Sequence, residues 1–244
     1  MSSIQTRGAV LRVRNTGEAD TQLTLLTKNY GKIIVTARGA RKPHSKFMAG
    51  AQLFTYSDFI IYDGGRFYSV AQVDLIENFF ALRDDYTRLC LAQYFVEVCD
   101  KTTPLNAPCD ELLHLLIISL SALSKGGRSP YLIARAFEMK FFQFNGITPE
   151  ITRCAECGGA LARSIRFGAE GTVCECYKRP AVHVSSAALA AFRYILSVEL
   201  PDIFKFTVDP ETLNEMKNAL SLFFKAHFDV SINSLSMLDS TTIG

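Results

Sequence analysis

Tryptophan is absent from the 244 residues, and histidine occurs only four times. Aromatic packing therefore rests on eighteen Phe and nine Tyr. Catalysis that needs an imidazole base has few places to sit. His44, His114, His183 and His227 fall in no nucleophile or metal motif. His114 and His227 lie within apolar helical stretches, where a packed side chain is the ordinary reading. No phosphate-cradling glycine loop is present, since Gly64-Gly65 and Gly126-Gly127 are isolated turn glycines. Asp84-Asp85 is a carboxylate pair, but it stands at a predicted helix start, where it complements the helix dipole. Long hydrophobic runs are missing too. The longest, Leu112 to Leu123, is broken by His114, Ser119 and Ser121 and is too short to cross a bilayer. The first residues, MSSIQTRGAVLRVR, carry no apolar segment of the signal-peptide kind. These absences argue against an enzyme and against a membrane role.

Seven cysteines are present, and their spacing is lopsided. Cys90, Cys99 and Cys109 stand alone in apolar or loop surroundings, whereas Cys154, Cys157, Cys174 and Cys176 cluster. Such a pattern points to a reducing cytosol and metal ligation rather than a disulfide framework. Net charge is only +2, but it is unevenly spread. Residues 1–57 hold nine Lys and Arg against two Asp and Glu, and residues 181–244 hold four against seven. A basic first third on a nearly neutral chain suggests a polyanionic partner for that third.

The first 80 or so residues alternate in the manner of strands. Val10–Arg14, Gln22–Thr27, Lys32–Ala37, Gln52–Tyr62 and Arg66–Val73 are predicted strands, separated by turn signals at 15–18, 29–31 and 63–65. A polar, basic loop at 38–49 follows the third. Five short strands with this long connection fit a small barrel of the OB kind, and an SH3-like barrel would show similar spacing. Beyond residue 80 the period becomes helical. Helices are predicted at 86–99, 111–123, 130–144, 186–198 and 210–228, with Ser129-Pro130, Ser185 or Ser186, and Asp209-Pro210 as start signals. The fold class is therefore α+β: an N-terminal five-stranded OB-fold barrel over residues 1–80, then an α-helical domain over 81–244 with a small cysteine-rich insert at about 150–182. With no flexible linker between them, the two parts are expected to pack together.

Cys154-Ala-Glu-Cys157-Gly158 has the spacing of a zinc knuckle, and Cys174-Glu-Cys176 offers two further thiolates. Structural zinc takes four such ligands in a tetrahedron. Three outcomes stay open: all four cysteines bind, three bind with His183 or water as the fourth, or the metal is weak or absent. A C-x-C pair is less usual than C-x-x-C, because both sulfurs reach one ion only if the backbone turns sharply. No H-x-E or H-E-x-x-H accompanies the cluster, so deaminase and metalloprotease chemistry are excluded.

The candidate nucleic-acid residues are Arg12, Arg14, Lys32, Arg38, Arg41, Lys42 and Lys46, with Tyr30 as a stacking aromatic. They sit in the barrel or its long loop, among Phe47, Phe54 and Tyr56. OB folds bind single strands by joining a basic groove to aromatic platforms. Arg38-Gly-Ala-Arg41-Lys42 is the sharpest signal, three cations around a flexible glycine, suited to backbone phosphates. Phe47 and Phe54 are also candidates for the barrel core.

Several segments together resemble the RecO family of bacterial recombination mediators. They are Gly17-Glu-Ala-Asp20, Leu25-Leu-Thr27, Tyr30-Gly31, Ala37-Arg38-Gly-Ala-Arg41-Lys42 and Ser45-Lys46. Phe137-Glu-Met-Lys140, Asn145-Gly146, Pro149 and Cys154-x-x-Cys157-Gly158 continue the match down the chain in order. The family's second cysteine pair is usually C-x-x-C, and here it is Cys174-x-Cys176. The resemblance implies an N-terminal OB fold, a helical domain, one structural Zn2+ and no catalytic turnover. It further implies binding of single- and double-stranded DNA, annealing of complementary strands, and joint action with RecR to help RecA replace single-strand-binding protein (SSB). A cytoplasmic, nucleoid-associated location follows, with no membrane partner. The SSB C-terminal tail is expected on the helical domain near Arg128, Arg135 and Lys140. The alternative is an adaptor whose barrel docks acidic protein partners without touching DNA. A metal-dependent nuclease reading lacks the carboxylate–His constellation it needs.

Overall fold

A computed structural model of the chain describes residues 2–65, 67–161 and 165–234. Five strands form a closed barrel: β1 (Ser2–Thr16), β2 (Asp20–Thr27), β3 (Gly31–Ala37), β4 (Tyr56–Asp63) and β5 (Tyr68–Glu77), in the order β1-β2-β3-β5-β4. β1 begins far earlier than the alternation at Val10 predicts. It pairs with β4 over Ser2–Ala9 and with β2 over Gly8–Thr16. One strand serves two neighbours because a bulge between Val10 and Arg12 lets it turn the corner of the barrel. The barrel interior is aliphatic: Val10, Leu23, Leu25, Ile33, Val35, Ile61 and Val70, with Phe59. Phe47 and Ala51 of the long loop are buried in the same core, so that loop plugs the barrel. β4 starts at Tyr56 rather than Gln52, because residues 46–54 serve this plug instead of extending the strand.

Two helices, α1 (Tyr86–Thr102) and α2 (Asp110–Lys125), pack on β1 and β2. The Asp85 carboxylate caps α1 by accepting the Arg88 N–H at 2.9 Å. α1 buries Cys90, Leu91, Tyr94, Phe95, Val98 and Cys99, so its two unclustered cysteines act as small apolar side chains. By its contacts the chain divides into Met1–Lys125, with the segment that begins at Ile232, and Gly126–Ser231.

The second unit holds α3 (Pro130–Phe144), α4 (Ser186–Ser197) and α5 (Pro210–His227). Ser129, Ser185 and Asp209 cap them as their sequences predict. α3 is packed by both α4 and α5 and is buried from Leu132 to Phe142. Phe141, Phe142, Phe223, Phe224 and Phe228 form one aromatic cluster, with Phe142 and Phe223 centroids 4.8 Å apart. Between α3 and α4 runs a small sheet of β6 (Arg166–Gly168), β7 (Gly171–Val173) and β8 (Val182–His183), in the order β7-β6-β8.

Candidate nucleic-acid interface and metal centre

Strand register decides which barrel cations stand together. At one end Ala37 lies opposite Thr21, which lies opposite Asn15; at the other Gly31 lies opposite Thr27, which lies opposite Gly8. Arg14, two residues short of the end of β1, and Arg38, just past β3, therefore share the first end. The long loop is tied there as well. The Arg41 N–H donates to the Ala19 carbonyl at 2.9 Å, and the Gly39 N–H to Asp20 Oδ1 at 2.7 Å. Arg41 Nη1 donates to the Gly17 carbonyl at 3.4 Å. Among the described residues Arg14, Arg38, Arg41 and Lys42 are exposed and make no ion pair. Glu18 is the exposed carboxylate of the adjoining turn, while Asp20 is occupied as a loop anchor. Four unneutralised cations on a short span make a local positive field that suits phosphate.

The other candidates fall elsewhere. Lys46 donates to the Ala71 carbonyl of β5 at 2.8 Å and lies 5.1 Å above the Phe47 ring, so its ammonium is anchored on the flank. Arg12 projects toward α1, where its Nε is 3.2 Å from Asp100 Oδ2. Lys32 is buried, and its ammonium donates to the Asp100 carbonyl beside that same carboxylate. Burial holds its pKa below the ordinary lysine value despite the Asp100 charge. It is a structural cation, and the sequence pattern missed this because only α1 and the 103–109 loop cover it. Tyr30 is exposed, but it sits in the β2–β3 turn at the far end, where the Asn29 N–H is bound by Asp110 at 2.7 Å. Phe47 and Phe54 are buried and Tyr56 is half-buried. The basic end thus has phosphate chemistry without the expected stacking aromatics.

The helical-domain candidates also change character. Arg135 and Lys140 are buried in α3. Arg135 Nη2 pairs with Glu138 at 2.9 Å, and Lys140 Nζ donates to Gln143 at 2.9 Å. A helix packed by two others buries even its polar stripe, and an i,i+3 partner makes that tolerable. Neither side chain can meet an acidic tail. Arg128 is exposed and donates to the Phe204 carbonyl.

The cysteines converge without ambiguity. The Sγ atoms of Cys154, Cys157, Cys174 and Cys176 all lie within 4.8 Å of one another. Cys154 to Cys176 and Cys157 to Cys174 are each 3.7 Å. A tetrahedron with metal–sulfur bonds of about 2.3 Å has edges of about 3.8 Å. The C-x-C pair is closer, at 3.1 Å, because a turn directly after β7 doubles the chain back. Gly158 makes the other turn: its φ is +71°, and its N–H donates to the Cys154 carbonyl at 2.9 Å. Backbone N–H groups of Cys157 and Cys174 bring the Cys154 thiol down to about 6, while the hydrogen bond to Cys174 pushes Cys176 up. Four thiolates this close need a cation to be ionised together. His183 belongs to no such group among the described residues, and its Nδ1 is 3.7 Å from Glu215 of α5. The insert neutralises its own surface, with Arg153 on Glu150 at 3.2 Å and Arg179 on Glu156 at 2.9 Å. It can hold one metal ion.

Comparison with known proteins covers nearly the whole chain. Family models described as recombination protein O N terminal and recombination protein O C terminal match residues 1–79 and 83–236. A curated protein of Acetivibrio thermocellus, named DNA repair protein RecO, is 33% identical over 98% of this chain and 97% of its own. One of Alkaliphilus metalliredigens with the same name is 33% identical over 96% of this chain and 98% of its own. One of Bacillus pumilus, also so named, is 31% identical over 97% and 93%.

Proposed function

The chain belongs to the RecO family, and from that membership we propose that it is a DNA repair factor that acts by binding rather than by turnover. It binds single- and double-stranded DNA at the basic end of the barrel and anneals complementary strands. With RecR it helps RecA replace SSB. The observation that carries the DNA-binding step is the convergence of Arg14, Arg38, Arg41 and Lys42 without a paired carboxylate among the described residues. Two strands repel through their phosphates, and cations that neutralise both let base pairing do the remaining work. In this reading no bond is made or broken. Lys46 flanks this surface, while Arg12, Lys32 and Tyr30 lie outside it.

Membership alone supports the partners RecR, RecA and the SSB tail. Of the cations considered for that tail, Arg128 is retained, because Arg135 and Lys140 are buried. Zn2+ is the ion proposed for the four cysteines, since a tetrahedral thiolate set suits it. It would tie the ends of the insert together and take no part in chemistry. No described helix is long and apolar enough to cross a membrane, which suits work on chromosomal DNA in the cytoplasm.

Reversing Arg38, Arg41 and Lys42 together to Glu tests the proposal. Affinity for a labelled single strand at about 0.1 M salt should fall at least tenfold with an unchanged melting transition. Undiminished affinity would overturn it. A pull-down with and without nuclease separates it from an adaptor that docks acidic proteins.

A further inference from the structure

The closed barrel has one weak seam. β3 and β5 are paired only at Val35–Tyr68 and Thr36–Ser69. Beyond Ser69, β5 has β4 on one side, while on the other Lys46 Nζ reaches the Ala71 carbonyl. Among the described residues no backbone group of Gln72–Glu77 has a main-chain partner on that outer edge. An open edge of this length is a template for another strand.

Edges that a protein only needs to protect are kept polar. This one is not. A bulge places Leu75 opposite Ser57 and Glu77 opposite Tyr56, leaving Ile76 as the extra residue. Leu75 is 40% exposed and Ile76 46%. Bulges re-aim side chains, and here two adjacent aliphatic residues face water. Phe80, three residues past the strand, is 61% exposed and is held there by its neighbours. Phe79 is buried in the left-handed region at φ 44°, an uncommon state for an aromatic residue, and this turns Phe80 outward. Glu77 Oε1 accepts the N–H groups of Asn78 and Phe79, and Asn78 Oδ1 accepts that of Phe80. The Arg83 guanidinium lies 5.1 Å from the Phe80 ring and 6.0 Å from that of Phe54. An exposed Phe fixed in this way is preorganised for contact. Among the described residues Asp74, Glu77 and Asp84 stand against Arg83 and the tethered Lys46, while Asp85 is taken up by the α1 N-terminus and Arg88.

We propose that the outer edge of β5, with Leu75, Ile76 and Phe80, docks an extended segment of a protein partner that adds as a strand and carries basic residues between apolar ones. Main-chain hydrogen bonds along the edge hold the segment. The aliphatic pair and Phe80 take its apolar side chains, and Asp74, Glu77 and Asp84 take its cations. The acidic side chains of the rim argue against nucleic acid here.

The probe is an octapeptide of alternating lysine and valine with a fluorescent end group, titrated by anisotropy into the full chain. Two controls replace lysine by glutamate or N-methylate alternate amides, which removes strand pairing. The lysine–valine peptide should bind at least tenfold more tightly than either control, and I76K/F80K should weaken it at least tenfold. That double variant should keep the wild-type melting transition and DNA affinity, so failure here is distinct from failure of the DNA reading. Equal binding of all three peptides would overturn the proposal, as would full affinity in the variant. Concentration-dependent dimerisation lost in I76K/F80K would also overturn it, assigning the edge to a second copy.

Discussion

At Gly31 the backbone takes φ +66°, and a Cβ built there would lie 1.9 Å from the Ala107 carbonyl oxygen. Both the left-handed conformation and the close approach of the 103–109 loop demand glycine. Gly31→Ala should cost about 2 kcal/mol or more, since the conformation alone costs about 1–2. Denaturant unfolding reads this, and a loss near zero would mean that the loop simply moves aside. Glu97 is a second decisive residue. Burial raises its pKa, but hydrogen bonds from Lys101, Ser234 and the Asn233 and Ser234 N–H groups outweigh burial and hold it at about 2. A carboxyl depressed on folding stabilises above its unfolded pKa, and that stabilisation is lost as pH falls through the folded one. Stability should therefore drop between about pH 4.5 and 2, and Glu97→Gln should flatten this acid limb. An unchanged limb would show that the clamp at Ser234 is not what the acid breaks.

The cysteine insert is the element whose stability should respond most to the proposed ion. Among the described residues its core is Cys154, Val173 and Tyr177, with Ala155, Leu161, Cys174 and Ala181 against them. So small a core needs a staple. Elemental analysis should give about one zinc per chain. Chelation, or replacing Cys154 and Cys157 by Ser, should lower the melting temperature and leave DNA affinity intact. Loss of DNA binding with unchanged melting would instead put the insert in the DNA surface.

On the scale of the whole molecule, a net charge of +2 describes neither pole. Binding to single strands should follow the local cluster. Four phosphate contacts give a slope of log K against log salt of about −3, since each contributes about −0.7. Arg14→Gln should make that slope shallower by about 0.7 and weaken all sequences alike. A slope near zero would mean that the cations face no phosphate.

Short-range chemistry was legible without coordinates. Ser129-Pro130 and Asp209-Pro210 announced helix starts, Asn29-Tyr30-Gly31 a turn, and the four clustered cysteines a group that could hold a metal, because caps, turns and ligand spacing are settled by neighbouring residues. What surrounds each side chain was decided only by the tertiary fold. Lys32, Arg135 and Lys140 read as surface cations, yet α1 covers one and α4 with α5 bury the other two. Tyr30 read as part of the basic surface, yet antiparallel register puts its turn at the opposite end of the barrel. The Val10 bulge and the open edge of β5 left no mark in composition. Bending and pairing depend on which strand arrives alongside, and residues far apart in the chain make that choice.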